Sequence, residues 1–518
     1  MMIVRFFIFQ EGSVFMKNKK EKTGKLDSFF GITSRKSSTK IEIFAGLTTF
    51  LAMAYILIVN PNNILWGGVS DPRFSSVFIA TAVGAFIGTL LMSLLARMPL
   101  AQAPGMGLNA MIGTIVGGAM GFAYSYGNAM AIVFISGVIF LLLSFIPCGR
   151  NKKTGKLLSL REKIFEGIPS SVRTSISVGI GLFIAFIGLQ NASIITDNQF
   201  TLLQMVDFNN YELWAPGGAA CCAIVCLFGL TVIAVLSHYK VKGSVIIGII
   251  ASTILAIPLG VANTSVLSGN IPGISWKFWE NINAFFSGDN TVFLSLFKGG
   301  FNFPAGSLMS VIMLIITFSM IDMFDTMGTV IGCCSTTNLM DEDGKPVNYD
   351  KMMYADSIAT VAGSLAGTST VTTFVESGTG VSVGGRTGLT SLVVAILFLL
   401  SIFLLPLFAF IPSASAACAL IYVGVVMMSN VVKVDFTNVK NAVPAFMTII
   451  TMLLAYSITK GIGVGIVSYV VINGIIYLTD LIAYKFGRVK EKPHTDITIV
   501  TLIVFVLFMI YFLVPTIL

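Results

Sequence analysis

Apolar residues fall in blocks of about 20 along the chain from Phe44 onwards, separated by short polar or basic stretches. That is the length an α-helix needs to cross the hydrocarbon core of a bilayer, so each block reads as a membrane span. The blocks lie at 43–65, 74–95, 100–121, 128–147, 174–194, 217–237 and 243–262, then at 306–336, 353–370, 371–384, 388–411, 413–431, 441–458 and 461–484. The pattern predicts an all-α polytopic membrane protein with 14 transmembrane segments. A last apolar run at 497–517 either crosses as an extra C-terminal helix or lies against the bundle.

Two blocks do not suit lipid-facing helices. Span 3 opens as Pro99-Leu-Ala-Gln-Ala-Pro-Gly-Met-Gly-Leu-Asn109, and span 10 runs from Thr370 through Thr-Val-Thr-Thr into a Gly-rich stretch ending at Gly385. A β-branched run favours a short extended strand, and the Gly-rich continuation favours a helix that starts mid-membrane with its first amides free. Short strands are therefore expected in broken spans 3 and 10. Pro104 suits the first turn of one half-helix, and Glu376 opens the other.

The two halves also match each other. Ala80-Thr-Ala-Val-Gly-Ala-Phe-Ile-Gly-Thr89 parallels Ala359-Thr-Val-Ala-Gly-Ser-Leu-Ala-Gly-Thr368, and Ile168-Pro-Ser to Gly181 parallels Ile411-Pro-Ser to Gly424 at the same internal spacing. Seven spans per unit is an odd number, so the second copy enters from the opposite side and the repeats are inverted. In such proteins, corresponding interrupted segments mark a midplane binding site, because half-helix N-termini present unpaired amides there.

Charge refines this picture. Hydrophobic residues make up 55% of the chain and charged ones 11%, so the lipid bilayer is a partner. The net charge of +8 does not signal nucleic acid, because the basic residues sit between spans. Counted from a cytosolic N-terminus, Lys17 to Lys40, Arg150 to Lys163, Lys240 and Lys242, Lys433 and Lys440, and Lys485 to Lys492 all fall inside. The loops at 195–216 and 263–305 are lean in Lys and Arg, and the second carries Trp276, Phe278, Trp279, Phe285 and Phe286, as an interfacial amphipathic segment would. Residues 1–15 have no cleavage-site pattern, and translation from Met16 is an alternative to Met1. The seven cysteines lack disulfide or zinc spacing and read as small core residues; no metal or cofactor is called for. His238 and His494 fall in predicted loops.

Three acids stand in apolar surroundings. A carboxylate near the bilayer centre costs about 3 kcal/mol on insertion scales, so it persists where it meets a cavity, a partner or a cargo. Glu376 is one; Asp322 and Asp325 share a helix face three residues apart. Asp325 is followed by Thr326, Gly328 and Thr329, small residues that permit close approach, whereas Asp322 lacks such neighbours and equally suits a neutral acid bonded between helices.

Gln102-Ala-Pro-Gly-Met-Gly-Leu-Asn109, Phe324-Asp-Thr-Met-Gly-Thr329, Glu376-Ser377 and Gly384-Gly-Arg-Thr-Gly-Leu389 resemble the adenine/guanine/hypoxanthine permease branch of the nucleobase-ascorbate transporter superfamily, as does the first span from Gly46 to Pro61. The resemblance runs from about residue 27 to 484 and implies a uracil-permease-like fold. It implies a cytosolic segment 1–42, core-domain spans at 43–147 and 306–411, gate-domain spans at 174–262 and 413–484, and a basic loop with the apolar tail at 485–518. It further implies proton-coupled purine uptake at the cytoplasmic membrane and a homodimer through the gate. Asp325 takes the place of the family's span-8 acid and Glu376 that of its span-10 acid. Gly378-Thr-Gly-Val-Ser-Val-Gly departs from the Ala-rich form expected after Glu-Ser, which leaves the preferred purine open.

The candidate substrate set is Asp325, Glu376, Ser377, Gly378, Gly105, Met106 and Thr329, with Phe324, Phe374 and Tyr55 as ring-packing partners. Pro104, Gly107, Asn109 and Gly380 shape the broken helices. A neutral purine is ringed by N–H donors and nitrogen or carbonyl acceptors, which a carboxylate and half-helix amides complement. Burial disfavours a charged carboxylate, so the coupling proton falls to Asp325 or Glu376, with Asp322 behind them. Sodium coupling and a xanthine or uracil cargo are the alternatives. An anion carrier of the same fold conflicts with acids in the cavity, and an aspartyl protease would need a Gly-x-Gly-Asp motif that the chain lacks.

Overall fold

The computed structural model describes residues 25–65, 68–118, 123–150, 157–241, 243–264, 274–335, 339–340, 346–486, 494 and 497–513. Met1 and Met16, the two candidate starts, lie outside the described residues.

The chain begins with α1 (Lys25–Phe30), α2 (Thr39–Met53), α3 (Ile56–Ile64) and α4 (Phe74–Leu91), the last prolonged by a π turn over Met92–Ala96. Strand β1 (Gln102–Pro104) leads into α5 (Met106–Val116), then α6 (Tyr126–Phe145), the strands β2 (Pro147–Arg150) and β3 (Leu157–Ser159), and the short α7 (Leu160–Gly167). Next come α8 (Ser170–Asn191), the hairpin β4 (Ile195–Asn198) and β5 (Leu202–Met205), α9 (Ala219–His238), α10 (Ser244–Ala256) and α11 (Phe278–Ser287). The second half holds α12 (Leu308–Ser335), α13 (Tyr349–Ala366), β6 (Val371–Thr373), α14 (Ser377–Val383), α15 (Gly388–Leu400) and α16 (Leu405–Ala409). It closes with α17 (Ser413–Met428), α18 (Val439–Leu454), α19 (Ile458–Lys485) and α20 (Ile499–Leu513). Among the described residues, nine helical stretches are long and apolar enough to cross a membrane, and α5, α10, α18 and α20 are shorter apolar helices.

Packing sorts most helices into two groups. Helices α2, α4 and α6 pack chiefly with α12 to α15, and α3 packs against α4 and α5, whereas α8, α9, α10, α17, α18 and α19 pack chiefly with one another. Contacts between the groups run through α5 and α12 against α8, α3 against α17, α2 against α10 and α12 against α19. Helix α20 lies against α19, α12 and α7, with Phe508 and Thr501 buried and Ile503 and Leu513 exposed. Helix α11 exposes Trp279 and Phe286 and buries Phe285.

The expected strands form in both broken segments and pair with each other. β1 and β6 are antiparallel, with Gln102 opposite Thr373, Ala103 opposite Thr372 and Pro104 opposite Val371. Phe374 N–H donates to Ala101 O at 3.0 Å and Gly105 N–H to Thr370 O at 2.9 Å, extending the crossing at both ends. A two-stranded ribbon satisfies backbone groups that neither segment could satisfy alone in an apolar interior.

Positions equated by the internal match also touch. A Cβ added at Gly84 would stand 3.8 Å from Gly363 Cα, and one added at Gly181 would stand 3.1 Å from Gly424 O. Pro169 and Pro412 occupy the same place, each at the N-cap of its helix, α8 and α17.

Four expectations need correcting. Pro104 is the last residue of β1, not part of a first helical turn, because its fixed φ and missing N–H suit the end of a short strand. The first amides of α14 are not free: those of Ser377, Gly378 and Thr379 close tight turns onto Phe374, Val375 and Glu376 carbonyls at 3.1, 2.9 and 2.9 Å. His238 is the final residue of α9 instead of a loop residue. Arg161, counted among the loop charges, is fully buried on α7.

Candidate functional site

The first span is interrupted as well. α2 ends at Met53, α3 starts at Ile56, and Tyr55 sits in the break, where Leu57 and Ile58 close short turns onto Ala54 and Tyr55 carbonyls. Tyr55 is 1% exposed, and its hydroxyl donates to Glu376 Oε1 at 2.6 Å. Glu376 is half-buried at the N-cap of α14 but makes no side-chain cap, so its carboxylate is left to Tyr55. Phe374, two residues earlier, is 6% exposed.

Across from this pair runs α12, which packs on α14. Asp325 on α12 is half-buried and within electrostatic reach of Glu376 and Asp356. One turn on, Gly328 is exposed, and a Cβ added there would meet nothing within 4 Å among the described residues. Phe324 is half-buried and Thr329 buried on the same helix. The structure thus bonds Tyr55 to Glu376 beside the β1–β6 crossing, with Asp325 within electrostatic reach of both.

The start of α5 adds donors. The amides of Met106, Gly107 and Leu108 have no acceptor among the described residues, as the first turn of a helix leaves them. Gly105 is the N-cap, and Gly107 abuts Ile180 of α8, its added Cβ 2.7 Å from Ile180 Cγ2, so this helix end faces the second helix group.

Other candidates serve the crossing itself. Ser377 is fully buried, with Ala101 N–H donating to its Oγ at 3.0 Å. Asn109 is tied to Pro104 O and accepts from the Ser369 hydroxyl. Gly380 packs on α2, where an added Cβ would collide with Thr49 Oγ1 and Ala45 O. Gly378 is half-buried near Cys333. Asp322 is 2% exposed and turned towards α13, where Thr360 Oγ1 donates to its Oδ2 at 3.1 Å. It is not brought to the Tyr55–Glu376 pair.

Sequence reasoning missed three charged residues. Asp356 on α13 is fully buried; its Oδ1 accepts from Thr326 Oγ1 at 2.6 Å and Gln102 Nε2 at 3.1 Å, and its Oδ2 lies 3.3 Å from Arg161 Nη2. Glu42 on α2 is fully buried as well and accepts from Arg386 N–H at 2.9 Å, Thr387 N–H at 3.2 Å and Thr390 Oγ1 at 2.6 Å. One signal was available: Asp356 lies inside a proposed span, so the reasoning that singled out Glu376 applied to it too.

Residues 40–464 match the model of a permease family. The chain is 33% identical to the adenine permease AdeP of Escherichia coli over 94% of its own length and 96% of that protein's. It is 36% identical to the guanine/hypoxanthine permease PbuO of Bacillus subtilis, over 86% of its own length and 94% of the relative's. Among solved structures it resembles the transmembrane domain of a cyanobacterium bicarbonate transporter, BicA, with a TM-score of 0.52 at 16% identity, covering 82% of this chain and 97% of that one.

Proposed function

The chain belongs to the purine permease branch of the nucleobase-ascorbate transporter family, and from that premise we propose that it imports a purine nucleobase by proton symport. It is a multi-pass membrane protein and not an enzyme. The cargo is hypoxanthine, guanine or adenine, the bases in the names of its relatives.

The observation that carries the reading is the Tyr55–Glu376 hydrogen bond in the broken spans, with Asp325 within electrostatic reach of both residues. A carboxylate there accepts paired N–H groups from the base edge, and a phenol bonded to it fixes which oxygen points at the cargo. The unpaired amides of Met106 to Leu108 supply donors for ring nitrogens or a carbonyl. A wrong base leaves buried polar groups unpaired, which is the basis of discrimination. The coupling proton resides on Asp325 or Glu376, which act as one titrating unit.

Fourteen spans in two inverted repeats account for the contacts between matched glycines and for the β1–β6 pairing, since a two-fold axis brings equivalent positions together. The group containing Asp325 and Glu376 then forms the core at 43–147 and 306–411, and the other group forms the gate at 174–262 and 413–484. Transport proceeds as the core moves against the gate, with the N-terminus in the cytosol and the protein in the cytoplasmic membrane.

The test is uptake of radiolabelled adenine and hypoxanthine by purine-transport-deficient cells, with a protonophore added or Na+ replaced by a larger cation. Uptake that is abolished by the protonophore and indifferent to Na+ is expected. Uptake that ignores the proton gradient, or follows Na+, would overturn the coupling.

A further inference from the structure

The guanidinium of Arg161 is fully buried, although its residue belongs to a basic stretch between spans. Its Nη2 lies 3.3 Å from Asp356 Oδ2, its Nη1 donates to Met353 O at 3.3 Å, and its Cζ stands 3.5 Å above the Phe140 ring. We propose that Arg161 is a positioning residue that couples the purine pocket to the linker joining the two helix groups. This rests on the transport reading above.

Three observations converge on it. The first is where Asp356 stands. Its Oδ1 holds Thr326, the residue after Asp325, and Gln102 of β1, while Thr326 Oγ1 lies 2.6 Å from Thr372 Oγ1 of β6. Since Thr326 donates to the carboxylate, Thr372 donates to Thr326. One carboxyl group therefore gathers α12, β1 and β6, the elements around the pocket, and presents its other oxygen to α7. Movement of α12 at Asp325 reaches Arg161 through two hydrogen bonds.

The second is where α7 leads. Only Ile168 and Pro169 separate it from α8, and Pro169 is the N-cap of that helix. α8 packs mainly on α17 and α18 and also touches α5 and α12. A shift of α7 against the core has no slack in which to dissipate before it reaches α8. This same end of α7 is held as well: Thr498 and Thr501 hydroxyls donate to Gly167 O at 2.6 and 2.8 Å, and α20, which follows Thr498, rests on both α12 and α19.

The third is the chemistry of the pair. A buried ion pair gains little over well-packed apolar side chains as a means of holding a helix in place. Arg161 Nε, moreover, finds no acceptor among the described residues. What the pair supplies that an apolar contact does not is direction: a planar donor reads the position of one carboxylate oxygen.

The experiment compares the full chain with Arg161→Gln, Arg161→Lys and the neutral pair Arg161→Gln with Asp356→Asn. Membrane abundance, equilibrium binding of tritiated adenine and hypoxanthine, and turnover per molecule in proteoliposomes are measured. For Arg161→Gln, a dissociation constant within about threefold of wild type with turnover at least about tenfold lower is expected. Arg161→Lys should recover part of that turnover. If Arg161→Gln does not reach the membrane, the neutral pair decides: abundance recovered without turnover supports the coupling, and recovery of both overturns it. Normal turnover in Arg161→Gln overturns it as well, as does binding lost in step with turnover, which would place the effect in the pocket. A wild-type protein that binds and moves neither base fails the transport reading itself and takes this role with it.

Discussion

Replacing Glu42 tests how the second broken span is anchored. Its carboxylate receives the Arg386 and Thr387 amides and the Thr390 hydroxyl at 2.9, 3.2 and 2.6 Å, and Thr387 is the N-cap of α15. The loop so held ends α14, the half-helix that Glu376 opens. Hydrogen bonds to a charged acceptor contribute about 1.5–3 kcal/mol each, but three on one group do not add fully. Glu42→Ala leaves all three donors in a buried site, and a loss of about 3–5 kcal/mol is expected, as for removing one partner of a buried charged group. Glu42→Gln keeps one acceptor and points an amide at a main-chain N–H, for a loss of about 1.5–3 kcal/mol. At 1.4 kcal/mol per decade, a 3 kcal/mol loss raises the unfolded fraction roughly 100-fold. Unfolding of the purified protein in a denaturing-detergent titration reads the ranking wild type, Gln, Ala; trypsin cleavage at Arg386 should rise in the same order. If Glu42→Ala unfolds within about 0.5 kcal/mol of wild type, the carboxylate does not anchor the loop and the reasoning fails.

Tyr55→Phe keeps the buried ring and removes the 2.6 Å bond to Glu376; purine affinity should fall about tenfold with normal membrane abundance, and an unchanged dissociation constant would exclude the phenol from the site. Asp356→Asn leaves the buried Arg161 guanidinium without a carboxylate, costing about 3–5 kcal/mol, whereas Asp322→Asn gives up a single Thr360 bond and should cost about 1 kcal/mol. Equal losses in unfolding titrations would contradict that contrast. Gly380→Val drives a side chain into Thr49 and the Ala45 carbonyl, so α14 must leave α2; uptake should be lost, and a fully active variant would show that this packing is not needed.

Apolar blocks, broken spans and the internal match were legible because each is a one-dimensional pattern tied to a backbone requirement: span length, unsatisfied amides and a repeated helix face. Asp325 and Glu376 stood out as acids in apolar spans and Tyr55 as a ring-packing candidate; the three do come together, with the Tyr55 hydroxyl bonded to Glu376. Arg161 did not, because a basic residue between spans carries a sorting signal that masks any structural role. Glu42 sits one residue before the proposed start of span 1, where an acid looks like an ordinary helix-start residue. Pro104 and the α14 amides were misplaced for a local reason. Strand pairing across 271 residues, as between Gln102 and Thr373, decides where each half-helix begins, and turn closure at Phe374 to Thr379 then consumes the amides that a free helix end would expose.

The central claim is tested most directly by uptake of radiolabelled adenine, guanine, hypoxanthine, xanthine and uracil in purine-transport-deficient cells. Wild type is compared with Glu376→Gln at matched membrane expression. The account predicts strong uptake of at least one of adenine, guanine and hypoxanthine, abolished by the substitution. No uptake of any base by a well-expressed wild-type protein, or undiminished uptake by Glu376→Gln, would contradict it.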